Sequence, residues 1–187
     1  MKTHVLKARS AAVLALITTL FAACDLFDKA DDVNFDATLD ETIIVAEENE
    51  GTNVSYTKIV TLDATADPDI NKYKNKVEGF TVKKVSYQVI DFYGSEGALF
   101  SGTLSFGEAS QTTPTVAVTI TNFNLQQAYS SGQVFELPIN QADVDAIAGM
   151  LKNGKAVKLY LEGLLSATPM TCSIKVILEV SVKADAL

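Results

Sequence analysis

Apolar and polar residues alternate with a period of two along most of this chain. The longest regular run lies near the C-terminus. There Cys172, Ile174, Val176, Leu178, Val180 and Val182 share one phase, and Ser173, Lys175, Glu179, Ser181 and Lys183 take the other. Successive strand side chains point to opposite faces, so this run predicts a strand with one face buried. Val157, Leu159 and Leu161 oppose Lys158, Tyr160 and Glu162 in the same way, and Val116, Val118 and Ile120 oppose Thr115, Thr119 and Thr121. Phe100, Leu104 and Phe106 oppose Ser101, Thr103 and Ser105. Earlier, Val54, Tyr56, Val60 and Leu62 share a phase, as do Phe35, Ala37 and Leu39. Between Phe80 and Phe92 the phase slips: Phe80 and Val82 are even, whereas Val85, Tyr87 and Val89 are odd. One extra residue at Lys83-Lys84 restores the facing, which is the work of a β-bulge. Gly94-Ser95-Glu96-Gly97 then supplies a turn into the Phe100 strand.

Two short helices interrupt the alternation. Asn140 is a good N-cap, and Ile139 and Val144 are spaced for a hydrophobic staple. Val144, Ile147, Ala148 and Leu151 form one stripe, and Gly154 suits the stop. Asp67-Pro68-Asp69 opens the other helix with a cap, a proline at the first helical position and a first-turn acid. Its Ile70, Tyr73 and Val77 are expected to face inward, with Lys72, Lys74 and Lys76 solvated. The expected fold is all-β: an immunoglobulin-like antiparallel β-sandwich of about seven or eight strands with two short helices. The Cys…Trp…Cys signature of true immunoglobulin domains is absent, so the expectation concerns architecture alone.

The N-terminus changes the picture of where the chain works. Lys2, Lys7 and Arg9 precede an apolar stretch from Ala11 to Ala23, the layout of a secretory signal. The stretch is shorter than the roughly 20 apolar residues that span a bilayer. The domain organisation follows: residues 1–23 as signal, 24–33 as an acidic tether, and 34–187 as the sandwich. Removing the signal takes away His4, the single histidine, and Arg9, the single arginine. Three of the 15 basic residues and none of the 23 acidic ones go with it, moving the net charge from −8 to −11. An acidic chain without arginine argues against a nucleic-acid partner, whose phosphates need dense basic contacts.

Those losses also narrow the chemistry. Without histidine there is no Ser-His-Asp or Cys-His arrangement and no His-containing zinc site. Without arginine there is no planar fork for phosphate or carboxylate. Paired-carboxylate hydrolysis and Ser-Lys chemistry survive on paper. Most carboxylates, however, fall in the tether, in turns, at helix starts or on outward strand phases, and Asp91, the main exception by phase, has no evident partner. The expectation is a protein without catalytic residues, metal or cofactor.

Individual candidates have ordinary structural readings beside the functional ones. Asp67, Asp69, Asn71 and Glu78 match positions 1, 3, 5 and 12 of a calcium loop, but Lys72 stands where that loop needs glycine. Helix capping explains the same acids. Glu47, Glu48 and Glu50 before Gly51 read as a solvated turn. Lys58 and Asp91 interrupt apolar phases; they pair across a sheet, or each marks a bulge or strand end. Phe92 and Tyr160 on outward phases, with Tyr93 and Tyr129 in loops, are aromatic rings that could stack on sugars or cover a flank. Cys172 lies on an apolar phase and reads as a small core residue.

Leu20-Phe21-Ala22-Ala23-Cys24 resembles the lipobox of bacterial lipoproteins, with Phe21 where the commonest version has leucine. The resemblance implies that Cys24 is the lipid-bearing first residue of the mature protein and anchors it to a membrane. That leaves Cys172 without an intramolecular disulfide partner. In lipoproteins of Bacteroidota, acidic residues just after the cysteine resemble a surface-export signal, whereas in enterobacterial ones an aspartate directly after it suggests inner-membrane retention. The run Lys29-Ala-Asp-Asp32 favours the first. The chain thus resembles the small β-sandwich lipoproteins of Bacteroidota. This implies a lipid-anchored cell-envelope protein, in the outer membrane and facing the surface, with a non-catalytic binding or interaction role. A surface glycan-binding module is the alternative, and an adhesin or fimbria-associated subunit a further one; the ligand, glycan or protein, is not identified by the sequence.

Overall fold

Two long strands, β1 (Asp32–Asp63) and β6 (Ala156–Asp185), run antiparallel along almost their whole lengths, from Asp32 opposite Asp185 to Asp63 opposite Ala156. The computed structural model describes residues 32–185; the signal, Cys24 and residues 25–31 of the tether lie outside the described residues. Asp32 and Val33, placed within the tether from the sequence, already pair with Asp185 and Ala184.

β6 is central because both of its edges are used. Its C-terminal half pairs with β2 (Val77–Gly94), and its N-terminal half with β3 (Leu99–Glu108). β4 (Val116–Asn124) flanks β3, and the short β5 (Val134–Glu136) flanks β2. The two halves of the β1/β6 ladder therefore belong to different layers, β5-β2-β6-β1 and β4-β3-β6-β1. Counting each long strand once per layer gives eight strand segments. The chain is an all-β antiparallel sandwich of the expected immunoglobulin-like architecture, with two strands continuous through both layers.

The burial pattern explains the bend between layers. β6 buries Val157, Leu159, Leu161 and Leu165 in its first half, then Met170, Cys172, Ile174, Val176, Leu178, Val180 and Val182 in its second. The buried parity changes from odd to even between them. β1 changes parity too, from Leu39, Ile43 and Val45 to Leu62, with a register shift between Glu47 and Gly51. At this corner the Thr168 hydroxyl donates to the Asn49 carbonyl at 2.6 Å. Tyr56 adds a second tie, its hydroxyl donating to the Ile44 carbonyl at 2.8 Å across the two halves of β1.

The inner faces of both layers merge into one core. Rings cluster in it: Tyr87 of β2 packs edge-on across the layers to Phe123 of β4 at 5.3 Å and stacks on Phe135 of its neighbour strand β5 at 5.4 Å. The expected bulge is present, since Val82 opposes Val180 while Lys84 opposes Glu179, leaving Lys83 over. Where β3 meets β6, Gly102 opposes Gly163, and a Cβ on either would run into the other strand's backbone and the Phe100 ring. Glycine is required there by close approach.

Among the described residues three α-helices complete the fold, with a 3-10 turn at Ala64–Ala66. α1 (Pro68–Lys72) is capped by Asp67, whose carboxylate accepts from the Asp69 and Ile70 amides at 2.9 and 3.0 Å. It is shorter than its apolar spacing suggested, because Val77 joins β2 opposite Ala184. α3 (Gln141–Gly154) carries the anticipated capping box on Asn140 and buries Ile147, Met150 and Leu151 mainly against β2. Its left-handed terminal residue is Lys155, at φ 54°, rather than Gly154. α2 (Leu125–Ser131) was not foreseen in the sequence, although Asn124 caps it and Gly132, at φ 61°, ends it. Tyr160 is also a correction: despite its outward phase it is buried, because the segment after β3 folds over it. Its ring packs where Gly107 has no side chain, and its hydroxyl donates to the Gln111 carbonyl at 3.3 Å.

Candidate functional site

The corner where both layers bend also brings together the end of β2, the turn after it, and one side chain of α2. Gly94 closes β2 at φ 146°, and a Cβ there would sit 2.6 Å from the Met170 Cα. The chain can therefore turn tightly against β6 only with glycine at this position. The turn is tied down by the Ser95 amide to the Pro169 carbonyl at 3.3 Å and by the Gly97 amide to the Gln126 side chain at 3.2 Å. The result is an open groove of about 760 Å³, lined by Phe92, Tyr93, Glu96, Glu47, Glu48 and Met170 among others.

Its surfaces have distinct characters. Met170 is buried and Phe92 half-buried, giving an apolar floor, whereas Tyr93 stands 82 % exposed. Glu47 is held in place: one carboxylate oxygen accepts from the Asn49 side-chain amide at 2.9 Å and the Asn49 backbone amide at 3.1 Å. These bonds, the side-chain one foremost, lower its pKa and keep it ionised. The carboxylates of Glu48 and Glu96 have no hydrogen-bonded or ion-paired partner among the described residues. No lysine among the described residues lines the groove. Lys83, Lys84, Lys175 and Lys183 make ion pairs, all outside the groove.

The residues singled out in the sequence divide sharply. Phe92 and Tyr93 come together here, joined by Glu47 and Glu48. The sequence reads these two as a turn, but they lie within β1 at its register shift, where the strand stays paired with β6. Tyr160 is removed to the buried flank, and Tyr129 sits exposed on α2. Asp67 is occupied in capping, and Glu78 accepts from the Lys183 ammonium at 2.6 Å, so the calcium-template residues are engaged separately. Among the described residues, no group of three or more His, Cys, Asp or Glu is placed to hold a metal ion. Asp91 lies at a register shift and is exposed, and Lys58 is exposed on β1 opposite Leu161; each interrupts its strand's apolar phase separately. Cys172 is fully buried in the core, and burial first, then the charge of Asp91, pushes its thiol up to about 12. Pro169, Met170, Thr171 and Gln126 are groove residues the sequence did not mark. They come from β6 and α2, and nothing local relates them to the turn after β2.

No helix among the described residues is long and apolar enough to cross a membrane. No family model matches the chain, and no curated protein does. Among solved structures, it is similar to turnip yellow mosaic virus (11% identity, TM-score 0.38, covering 83% of this chain and 96% of that one). It is also similar to the BFDV capsid protein (10% identity, TM-score 0.38, covering 81% and 98%). Likenesses this distant carry no argument about what this chain does.

Proposed function

We propose that the chain is a non-catalytic, lipid-anchored protein of the cell envelope that holds a ligand in the corner groove. The observation that carries this reading is the position of the groove. β1 enters the sandwich at Asp32 and reaches the corner at Glu47, about 50 Å along a strand at roughly 3.3 Å per residue. A lipid on Cys24 would hold the opposite end, and the groove with its exposed Tyr93 would face away from the membrane. Large, unburied aromatic rings beside a concave surface are the usual material of binding sites.

The absence of histidine and arginine from the chain after residue 23 supports a role without turnover. Asp91, the main carboxylate on an apolar phase, is exposed on the strand rather than set in a buried cleft beside a second carboxylate. A glycan ligand is the second reading, favoured by the exposed Tyr93 ring, since sugars stack on such faces.

The anchor is tested by mass spectrometry of the membrane fraction, which should find an acylated peptide beginning at Cys24. A Cys24→Ser form equally processed and membrane-bound would refute it. The binding role is tested on a glycan array, with wild type and Tyr93→Ala compared: loss of any signal on substitution places the ligand in the groove. Hydrolysis of a glycoside, ester or peptide panel, abolished by one Asp or Glu replacement, would overturn the non-catalytic reading.

A further inference from the structure

Resting on the groove as the ligand site, the charge around it points to the class of ligand, and we infer that it takes a lysine- or arginine-bearing segment of a protein partner. Every charged side chain lining the groove among the described residues is a carboxylate: Glu47, Glu48 and Glu96. Glu47 is fixed in its ionised form by Asn49, while Glu48 and Glu96 project without partners. A neutral occupant would strip water from these groups and return no counter-charge, which costs binding free energy. A basic side chain supplies the counter-charge. Its aliphatic stem matches the apolar floor of Phe92 and Met170, and its cationic head can lie over the exposed Tyr93 ring within reach of Glu48 and Glu96.

Size argues for a segment rather than a lone cation. About 760 Å³ is the scale of a site for several residues or a drug-sized molecule. The groove is open, so an extended chain can pass through it. It also lacks a metal-binding group of side chains among the described residues.

The test is calorimetric titration of the full chain in detergent with three probes. These are a capped heptapeptide alternating lysine and glycine, the same peptide with every lysine acetylated, and a neutral maltoheptaose. The basic peptide should bind, with affinity falling as salt rises, and acetylation should weaken it at least about tenfold. Glu48→Gln with Glu96→Gln should weaken it by a similar factor at unchanged Tm. Asp145→Asn with Glu179→Gln, which remove the same charge elsewhere, should leave it unaltered. Equal binding of the acetylated peptide, or equal weakening by both charge pairs, would overturn the inference. If maltoheptaose binds, is lost in Tyr93→Ala, and the basic peptide does not bind, the groove stands as a ligand site and the cationic class falls. If no probe responds to groove substitutions, both readings fall.

Discussion

The two ends of the sandwich treat their carboxylates in opposite ways. At the end where β1 begins, Lys183 is held between Asp32 at 2.8 Å and Glu78 at 2.6 Å, and nearby Lys83 meets Asp36 at 2.6 Å. At the corner, Glu48 and Glu96 have no cation, and an aromatic ring stands in solvent beside them. The first end is internally satisfied and the second is not. Folding alone gives no reason for the second arrangement: like charges left unneutralised are at best neutral for stability. The contrast separates a framework that answers to stability from a tip that answers to something outside the chain.

The strongest way to break this comparison is to insert a charge in each region. Leu178 is fully buried in the central strand, so Leu178→Asp should cost about 3 kcal/mol or more and prevent folding. Glu179→Lys, one residue on and facing water, should be tolerated. Tyr93→Asp should leave the melting temperature almost where it was. Equal losses for Leu178→Asp and Tyr93→Asp would show that the tip is part of the framework.

A smaller effect is expected where the framework is tightest. Gly163→Ala pushes a methyl into the Ser101 carbonyl and the Gly102 Cα of the adjoining strand. Such overpacking typically costs about 1–3 kcal/mol. Gly97 turns beside the groove and has open space around it. Its φ of 70° still penalises alanine, but without a clash, so Gly97→Ala should lower Tm less than Gly163→Ala. The reverse order would place the strain at the tip.

The framework was legible in the sequence for the same reason it is sensitive. A strand that buries one face must alternate, so Cys172–Val182 and the slip at Lys83 could be read locally. Tyr160 could not, because its burial depends on the segment around Gln111 folding back over Gly107, a contact between distant parts of the chain. α2 had a cap at Asn124 and a stop at Gly132, yet its seven residues are too few to display a helical stripe. The groove was half legible. Tyr93 and the Glu47-Glu48 pair stood out as polar or aromatic residues at a break in alternation. That β1 and β6 bend where β2 ends, bringing Met170 beneath them, is a property of the ladder register and leaves no mark in any single segment.

Cys172 tests the boundary between the regions, lying two residues beyond Met170. Burial raises its thiol from an ordinary 9.0 to about 12. The unfolded chain therefore releases this proton first, and stability should fall as pH rises through the window from about 9 to 12. Cys172→Ala should remove that part of the alkaline loss, although the smaller side chain lowers Tm at neutral pH. A thiol-specific reagent should not modify the folded chain. Rapid labelling in native buffer would mean that the apolar floor opens to solvent.

The smallest effect belongs to Lys183, and it sharpens the contrast between the ends most directly. The side-chain bonds to Asp32 and then Glu78 raise this lysine's pKa above its ordinary 10.5. A raised folded value means that the contribution is fully present below the unfolded pKa and is lost as pH rises through the folded one. It should thus be intact at neutral pH and fade only in strong alkali. Lys183 and Glu78 are exposed and Asp32 only partly covered, so the attraction is weakened by salt, with a screening length near 3 Å at about 1 M. Lys183→Ala should lower Tm slightly at low salt, and the difference from wild type should close as salt is added. At the corner, Glu48→Gln should leave Tm unchanged or raise it slightly under the same low-salt conditions, since it removes repulsion and breaks no pair. If Glu48→Gln instead lowered Tm as Lys183→Ala does, with the same salt dependence, the corner carboxylates would be paired in solution. Their availability to a ligand, and with it the distinction between the two ends, would be lost.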